Sequence, residues 1–408
     1  MMKQAREFPV FTVTPKAARS LAAGHPWVYA EEVLDAQPCE NGALADVFSQ
    51  KGSWLGTGLV SLQSKIRVRV LSRNANDVFD ESFWHRRLRY AWEYRKAVMG
   101  PDVSNCRIIF GEADQFPGLT VDRYGTLLSA QVLSVGMERL KHTLFPALVQ
   151  MLRADGQDIR GLYERNDVAL REKEGLAQYK GWYDLSALGL PLPETPLAHI
   201  CENGIHYTVD VENGQKTGFF LDQQYNRRAV AALARGRTVL DCFTHTGSFA
   251  LNAAKGGAVK VTAVDVSEAA CAIARRNAEE NGLSGVMQCV AADVFELLPT
   301  LSKGSYDFII LDPPAFTKAR KTLRNALRGY KEINTRAMRL LPRGGYLATC
   351  SCSHFATQEE FCKMLAAAAA DAGVQLRQIA ASQQAPDHPI LWNVPETDYL
   401  KFYLFQVV

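Results

Sequence analysis

At 408 residues, 47% apolar and 22% charged, the chain carries enough apolar material for two or three cores and has the balance of an ordinary globular protein. A net charge of +3 is too small to define a partner, so any case for a polyanion rests on where the basic residues cluster. Nine cysteines without paired CxxC spacing argue against zinc. With no apolar or arginine-rich leader in Met1 to Glu7, they argue for a reduced cytoplasmic setting. The longest weakly polar stretch, Met364 to Ala370, is mostly alanine and falls far short of the ~20 residues a membrane span requires, so no membrane partner is expected.

In chain order, short β-rich runs come first: Phe11 to Val13, Ala45 to Phe48, Trp54 to Val60 and Ile66 to Leu71. Glycine and asparagine punctuate them as in a small barrel. Asn74 to Asp77 reads as a linker. Ser82 to Met99 is helical, Arg107 to Glu112, Leu119 to Asp122 and Leu127 to Leu133 read as strands, Met137 to Ala154 as helix and Gly161 to Asp167 as strand. Pro191, Pro193 and Pro196 crowd a connector. Beyond it, strand and helix alternate. Helices are expected over Asn226 to Arg235, Ser248 to Lys255, Glu268 to Asn281, Val294 to Leu301 and Phe361 to Ala372. Strands are expected over Thr238 to Asp241, Val261 to Asp265, Met287 to Asp293, Tyr306 to Leu311, Tyr346 to Cys350 and Tyr399 to Val408. The expected organisation is a barrel over residues 1–74, a mixed α/β domain over 75–190 and a doubly wound α/β domain over 191–408.

In an open parallel sheet, ligands sit beyond the carboxyl ends of the strands where strand order reverses. Four acids end predicted strands here: Asp241, Asp265, Asp293 and Asp312. After Asp241 comes a turn of small residues whose Gly247 lets backbone approach a ligand, and whose following helix offers free amides. Asp265, 24 positions on, suits two ribose hydroxyls, and Asp293 the exocyclic amine of adenine. A dinucleotide turn needs GxGxxG to admit a pyrophosphate, whereas this one carries Phe243-Thr244-His245-Thr246 before its glycine. The bland alternative is that each Asp caps the helix that follows. The series as a whole points to a nucleoside cofactor of the S-adenosylmethionine type, with Asp241, Phe243, Thr244, Gly247, Asp265 and Asp293 as its candidate binders.

Asp312-Pro313-Pro314-Ala315-Phe316 suits an amino-bearing nucleobase. Proline fixes the backbone and removes donors, leaving carbonyls and the carboxylate as acceptors for a flipped base, on which Phe316 can stack. A nitrogen acceptor needs no protein nucleophile. Carbon 5 of cytosine does, and Cys350 and Cys352 lie at or just beyond the strand expected beside the one ending at Asp312, about 4.8 Å away. An unperturbed thiol is only a few per cent ionised at neutral pH, so an activator is required, and the sequence offers only His354 as a candidate.

Several motifs together are similar to the RlmI family of large-subunit ribosomal RNA cytosine-5 methyltransferases: Gly24-His25-Pro26-Trp27-Val28, Gly111-Glu112-Ala113-Asp114 with Pro117-Gly118-Leu119 and Val121-Asp122-Arg123-Tyr124-Gly125, Lys216-Thr217-Gly218 with Leu221-Asp222-Gln223, Asp312-Pro313-Pro314, Arg328 to Asn334, and Ser351-Cys352-Ser353. The resemblance spans nearly the whole chain. It implies an RNA-binding PUA-like barrel, a central mixed domain and a Rossmann-like class I methyltransferase domain using S-adenosylmethionine. It also implies Cys352 as nucleophile, Asp312 as the acid holding the base, Asp265 as the ribose acid and Gln223 among the cofactor residues. Better-known RNA cytosine-5 enzymes keep a second cysteine where this chain has Ala315, so another base must take the carbon 5 proton, with water and Asp312 as candidates. Thr349-Cys350-Ser351 resembles their own nucleophile segment and keeps Cys350 in play.

Between Lys318 and Lys331 stand Lys318, Arg320, Lys321, Arg324, Arg328 and Lys331 with no acid among them, and the three arginines recur at helical spacing. This stripe suits the phosphates beside the target, and His85, Arg86, Arg87, Arg89, Arg95 and Lys96 with Trp84, Tyr90 and Trp92 suit a second patch. The expected activity is methylation of cytosine carbon 5 in 23S ribosomal RNA or a large-subunit precursor. The rivals are base nitrogen methylation on the same fold and a non-catalytic RNA-binding assembly factor. The oligomeric state stays open, with a homodimer among the options.

Overall fold

The computed structural model describes residues 7–317 and 319–408. The leader reading of the first six residues and the Lys318 candidate therefore lie outside the described residues. The chain divides into two compact units. One comprises residues up to Ile200, Val209–Leu221 and Pro386–Thr397, and the other Cys201–Thr208, Asp222–Ala385 and Asp398–Val408.

In the first unit, strands Val10–Val13, Trp27–Tyr29, Val33–Ala36, Leu44–Ser49, Trp54–Val60 and Ile66–Ser72 (β1 to β6) make a mixed sheet in the order β2-β6-β5-β4-β1-β3. Alternation turns Phe11, Val13, Val28, Val47, Val60 and Val68 into one core. Helix Pro15–Ala22 (α1) closes that core with Ala17 and Leu21; Thr14 caps it, and Pro15 sits at a position where a missing N–H costs nothing. Helix Glu81–Met99 (α2) leads to strands Asn105–Phe110, Leu119–Tyr124, Leu127–Val132, Gly161–Asn166 and Tyr179–Trp182 (β7 to β11). These form a second sheet in chain order, and helix Val135–Ala154 (α3) makes the crossover between the parallel β9 and β10.

The motifs of this unit are ties. Trp27 donates its indole N–H to Glu112 at 3.0 Å, Asp114 receives both guanidinium nitrogens of Arg95, and Asp122 receives Arg107 at 2.7 and 2.8 Å. Thr217 donates to Asp122, and Tyr124 exchanges hydrogen bonds with the Phe219 backbone at 3.0 Å. These contacts correct the second patch: Arg95 is fully buried, and Arg87, Trp84 and Trp92 also point inward. The reason is that α2 lays one whole face on the core, and its basic residues on that face reach backbone carbonyls and Asp114 instead of solvent.

Strands Leu197–Glu202 and Ile205–Asp210 (β12, β13) pair as a hairpin. In the second unit, strands Thr238–Cys242, Lys260–Asp265, Met287–Ala291, Phe308–Leu311, Tyr346–Ser351, Leu376–Ser382 and Lys401–Val407 (β14 to β20) form a sheet in the order β16-β15-β14-β17-β18-β20-β19. The five strands from β14 to β18 run parallel, and β20 is antiparallel to both neighbours. Helices Gln224–Leu233, Ser248–Lys255, Glu268–Glu280, Val294–Leu297, Leu323–Leu340 and Gln358–Ala372 (α4 to α9) cross between the strands. Tyr330, Ile333, Met338, Phe361 and Leu365 of α8 and α9 are buried against Leu240, Ile309 and Leu347, and each such side chain contributes roughly 1.5–3 kcal/mol. Among the described residues no helix is long and apolar enough to cross a membrane.

Candidate active site

Strand order reverses between β14 and β17, and their carboxyl ends bring Asp241 and Asp312 to one edge. The turn after β14 is tightly wound. Phe243 and His245 adopt positive φ at 64° and 52°, a conformation that costs a non-glycine residue about 1 kcal/mol or more and that clusters at functional sites. Gly247 follows at φ 83°, where a Cβ would come within 2.9 Å of Ala274 and Met287.

The acids engage the backbone first. Asp241 is fully buried and accepts from the Ala250 amide at 3.0 Å and from the Thr244 hydroxyl. Asp265 accepts from the His245 amide at 2.9 Å and the Ser267 amide at 3.0 Å, which ties the ends of two strands together. Asp293 caps α7 through the Phe295 amide at 2.7 Å and is exposed. Only Asp293 caps the helix that follows it; Ser267 caps α6 and Gly247 opens α5, so Asp241 and Asp265 brace the turns from outside the caps and keep acceptor capacity over. The second oxygen of Asp241 is buried without a hydrogen-bond partner among the described residues. Burial, aided by the charge of Asp312, pushes the Asp241 carboxyl up to about 7. An orphaned acceptor beside a strained turn fits the ammonium and hydroxyl groups of S-adenosylmethionine.

Asp312 follows β17, level with Cys350 because Leu311 pairs with Thr349. Its carboxyl receives the Gln223 amide at 3.1 Å, and Gln223 in turn receives Asn226 at 2.6 Å. Gln223 thus belongs beside Asp312. Burial and the Asp222 carboxylate push Asp312 up to about 6, against the pull of Arg227 and of hydrogen bonds from Cys350 and Gln223. Phe316 packs on Tyr330 with ring centres 4.6 Å apart and lies against Gly329, so one of its faces is taken by protein.

The two thiols differ sharply. Cys350 is fully buried, and burial with the adjacent Asp312 carboxylate holds its thiol far above the usual range. Cys352 is partly exposed, with its sulfur 3.9 Å from the Pro313 carbonyl. The segments Asp312-Pro313-Pro314 and Ser351-Cys352-Ser353 thus meet. The turn is fixed on both sides: Ser351 donates to the Tyr330 hydroxyl at 3.2 Å and Ser353 to the Thr317 carbonyl at 3.2 Å. His354 is exposed and stands edge-on to the Phe355 ring. Sequence reasoning missed Lys401, whose ammonium reaches the Ser353 carbonyl, and the signal was a lysine heading a mostly apolar strand.

Arg320 lies in the turn before α8, and Arg324 and Arg328 lie on that helix. With Lys331, Lys363 and an apolar floor of Leu323, Leu327 and Met364 they line a groove of about 630 Å³ between α8 and α9. Lys321 is exposed in the same turn, outside the groove lining.

The doubly wound sheet with its antiparallel β20 and its row of acids at the carboxyl edge defines a class I methyltransferase. Residues 185–404 match the family model described as S-adenosylmethionine-dependent methyltransferase, and residues 11–73 match that of a PUA-like domain. The chain belongs to the ribosomal RNA large subunit methyltransferase I family. The protein of that name from Aeromonas hydrophila is 40% identical over 94% of this chain and 95% of its own length. The one from Klebsiella pneumoniae strain MGH 78578 is 38% identical over 98% and 99%. Among solved structures, one described as a SAM-dependent methyltransferase from Streptococcus mutans covers 98% of this chain and 100% of its own with a TM-score of 0.81 at 22% identity, which supports the fold. A methyltransferase solved in complex with SAH gives the same values.

Proposed function

We propose that the protein methylates carbon 5 of a cytosine in large-subunit ribosomal RNA, 23S or its precursor, through a covalent Cys352 adduct. The observation that carries this reading is the partly exposed Cys352 sulfur facing the Asp312-Pro313 segment, with the other nearby thiol, Cys350, sealed off beside a carboxylate. The names of the relatives support the ribosomal RNA substrate. In this reading residues 1–74 grip RNA, 75–190 form a central domain and 191–408 carry out the transfer in the cytoplasm.

Bound S-adenosylmethionine supplies an electrophilic methyl group. Asp241, Phe243, Thr244 and Gly247 would line its methionine portion, Asp265 its ribose and Asp293 its adenine. Cys352, as thiolate, adds to carbon 6 of a flipped cytosine. Asp312 accepts from the exocyclic N4 and, with a proton affinity near neutral, shares a proton with N3, so the charge passed into the ring is neutralised as it arrives. Carbon 5 takes the methyl group. Its proton then leaves to water or Asp312, and the Cys352 sulfur departs with the electron pair, restoring the ring double bond and the thiolate. Arg320, Lys321, Arg324 and Arg328, with Lys318, would hold flanking phosphates, and Phe316 with Tyr330 would wall the base.

The Cys352→Ser variant tests the route. Methylation of ribosomal RNA from cells lacking the protein should fall by on the order of 10⁴-fold or more, read by mapping of modified cytosines. Undiminished methylation would overturn the covalent reading in favour of attack by a base nitrogen.

A further inference from the structure

The proposed nucleophile needs a group that holds it as thiolate, and His354 is turned to solvent. Lys401 opens β20 directly across from Ser351. It is 5% exposed, and its ammonium donates to the carbonyls of Ser353 at 2.6 Å and Tyr399 at 2.9 Å. Among the described residues it makes no ion pair. A buried ammonium held by neutral carbonyls alone is costly, and such an arrangement persists where the charge has a use. Burial lowers its proton affinity to about 8, while Asp398, Cys352 and Glu360 pull the other way.

Among the described residues, the titratable groups about this turn are Tyr330 on α8 and Cys350 on β18, which both feel the charge of Cys352, Asp312 beside Cys350, the exposed His354, and Lys401 at the start of β20, on whose ammonium Asp398, Glu360 and Cys352 act. Apart from the exposed His354, Lys401 is the base among these described residues, and one of its two anchors is the carbonyl of the residue next to Cys352.

We propose that Lys401 is a positioning residue that holds Cys352 as its thiolate and pins the Ser351–Ser353 turn against β20. The inference rests on Cys352 being the nucleophile. The thiol proton leaves to solvent, the positive charge held one residue from Cys352 offsets the negative one, and the hydrogen bond to the Ser353 carbonyl fixes the ammonium to the turn that carries the sulfur. As sulfur adds to carbon 6 its charge passes to the ring, where Asp312 meets it.

The test is the pH dependence of Cys352 alkylation by iodoacetamide, followed on the Cys352 peptide by mass spectrometry, in the full chain and its Lys401→Met and Lys401→Arg variants. In the unaltered chain the midpoint should lie below the ~8.5 of an ordinary cysteine. Lys401→Met should raise it by about one unit, lowering thiolate at neutral pH about tenfold, and Lys401→Arg should keep it low. The methylation rate of Lys401→Met should fall in parallel and recover partly as pH rises. An unchanged midpoint in a Lys401→Met protein that still binds S-adenosylmethionine overturns the proposal. If that variant does not fold, the unaltered chain decides: a midpoint at or above the ordinary value overturns it, and a lower one supports it. Alkylation requires no RNA, so methylation retained by Cys352→Ser would sink the nucleophile reading while the thiol titration still reports on Lys401.

Discussion

Asp122 in the first unit and Asp241 in the second are equally buried, each with no exposed surface, yet their proton affinities move in opposite directions. Burial pushes both up. At Asp122 the charge and the paired hydrogen bonds of Arg107 overcome that push and carry the carboxyl below its usual range. At Asp241 a hydroxyl and one amide are too weak to do so, and the carboxyl stays near 7. Asp312, hydrogen-bonded to an amide and a thiol, behaves likewise, with burial and the Asp222 charge outweighing the pull of Arg227. A buried acid given an arginine holds structure together, and one given neutral donors remains ready to exchange a proton or bind a cation. Arginines divide the same way: Arg95 and Arg107 lie in ion pairs, whereas Arg320, Arg324 and Arg328 make none among the described residues.

Removing the first kind of acid should damage folding most. Asp122→Asn leaves Arg107 largely buried without its counterion and should cost about 3–5 kcal/mol in urea unfolding. Because the folded affinity of Asp122 is lowered, its contribution is present above the unfolded carboxylate range and is lost as pH falls through the lowered folded value. Replacing the second kind should damage chemistry and spare the fold. Asp312→Asn should slow methylation by on the order of 10²-fold or more under single-turnover conditions. Its folded affinity is raised, so its contribution is complete below about 3.8 and is lost as pH rises through about 6. The variant should therefore flatten the decline in unfolding free energy between pH 4 and 7. A steep loss of stability in Asp312→Asn, or none in Asp122→Asn, would erase the distinction between the two regions.

Much of this was legible in the sequence. Strands β14, β15 and β18 fall within a residue of their expected ends, because runs buried on both faces and closed by an acid or a glycine have few other readings. Alternation hid the elements whose faces are not cleanly apolar. Edge strand β19 is mostly exposed and carries no period, and β12 and β13 sat behind the proline connector. Their hairpin did carry a signal: Asn203-Gly204 takes positive φ at both positions, as a two-residue turn requires. The expected helix Val294 to Leu301 tightens after Leu297, where Pro299 removes a donor. In the site, the acids and the Cys352 segment follow from strand ends. The partnership of Gln223 with Asp312 and the approach of Lys401 to the Ser353 carbonyl depend on contacts across 89 and 48 residues, which no local pattern encodes.

The finest test of the comparison concerns the unpaired arginines. Replacing Arg320, Arg324 and Arg328 together by alanine removes no ion pair among the described residues, so thermal unfolding should change little. If each meets one phosphate of a single strand, the slope of log affinity against log salt should fall by roughly 2, at about 0.7 per contact. The weakening should be nearly the same for every sequence tried, because phosphate contacts set register and carry no base information. A large loss of stability with an unaltered slope would assign these residues to the fold, as with Arg95 and Arg107, and would leave the groove between α8 and α9 without its proposed ligand.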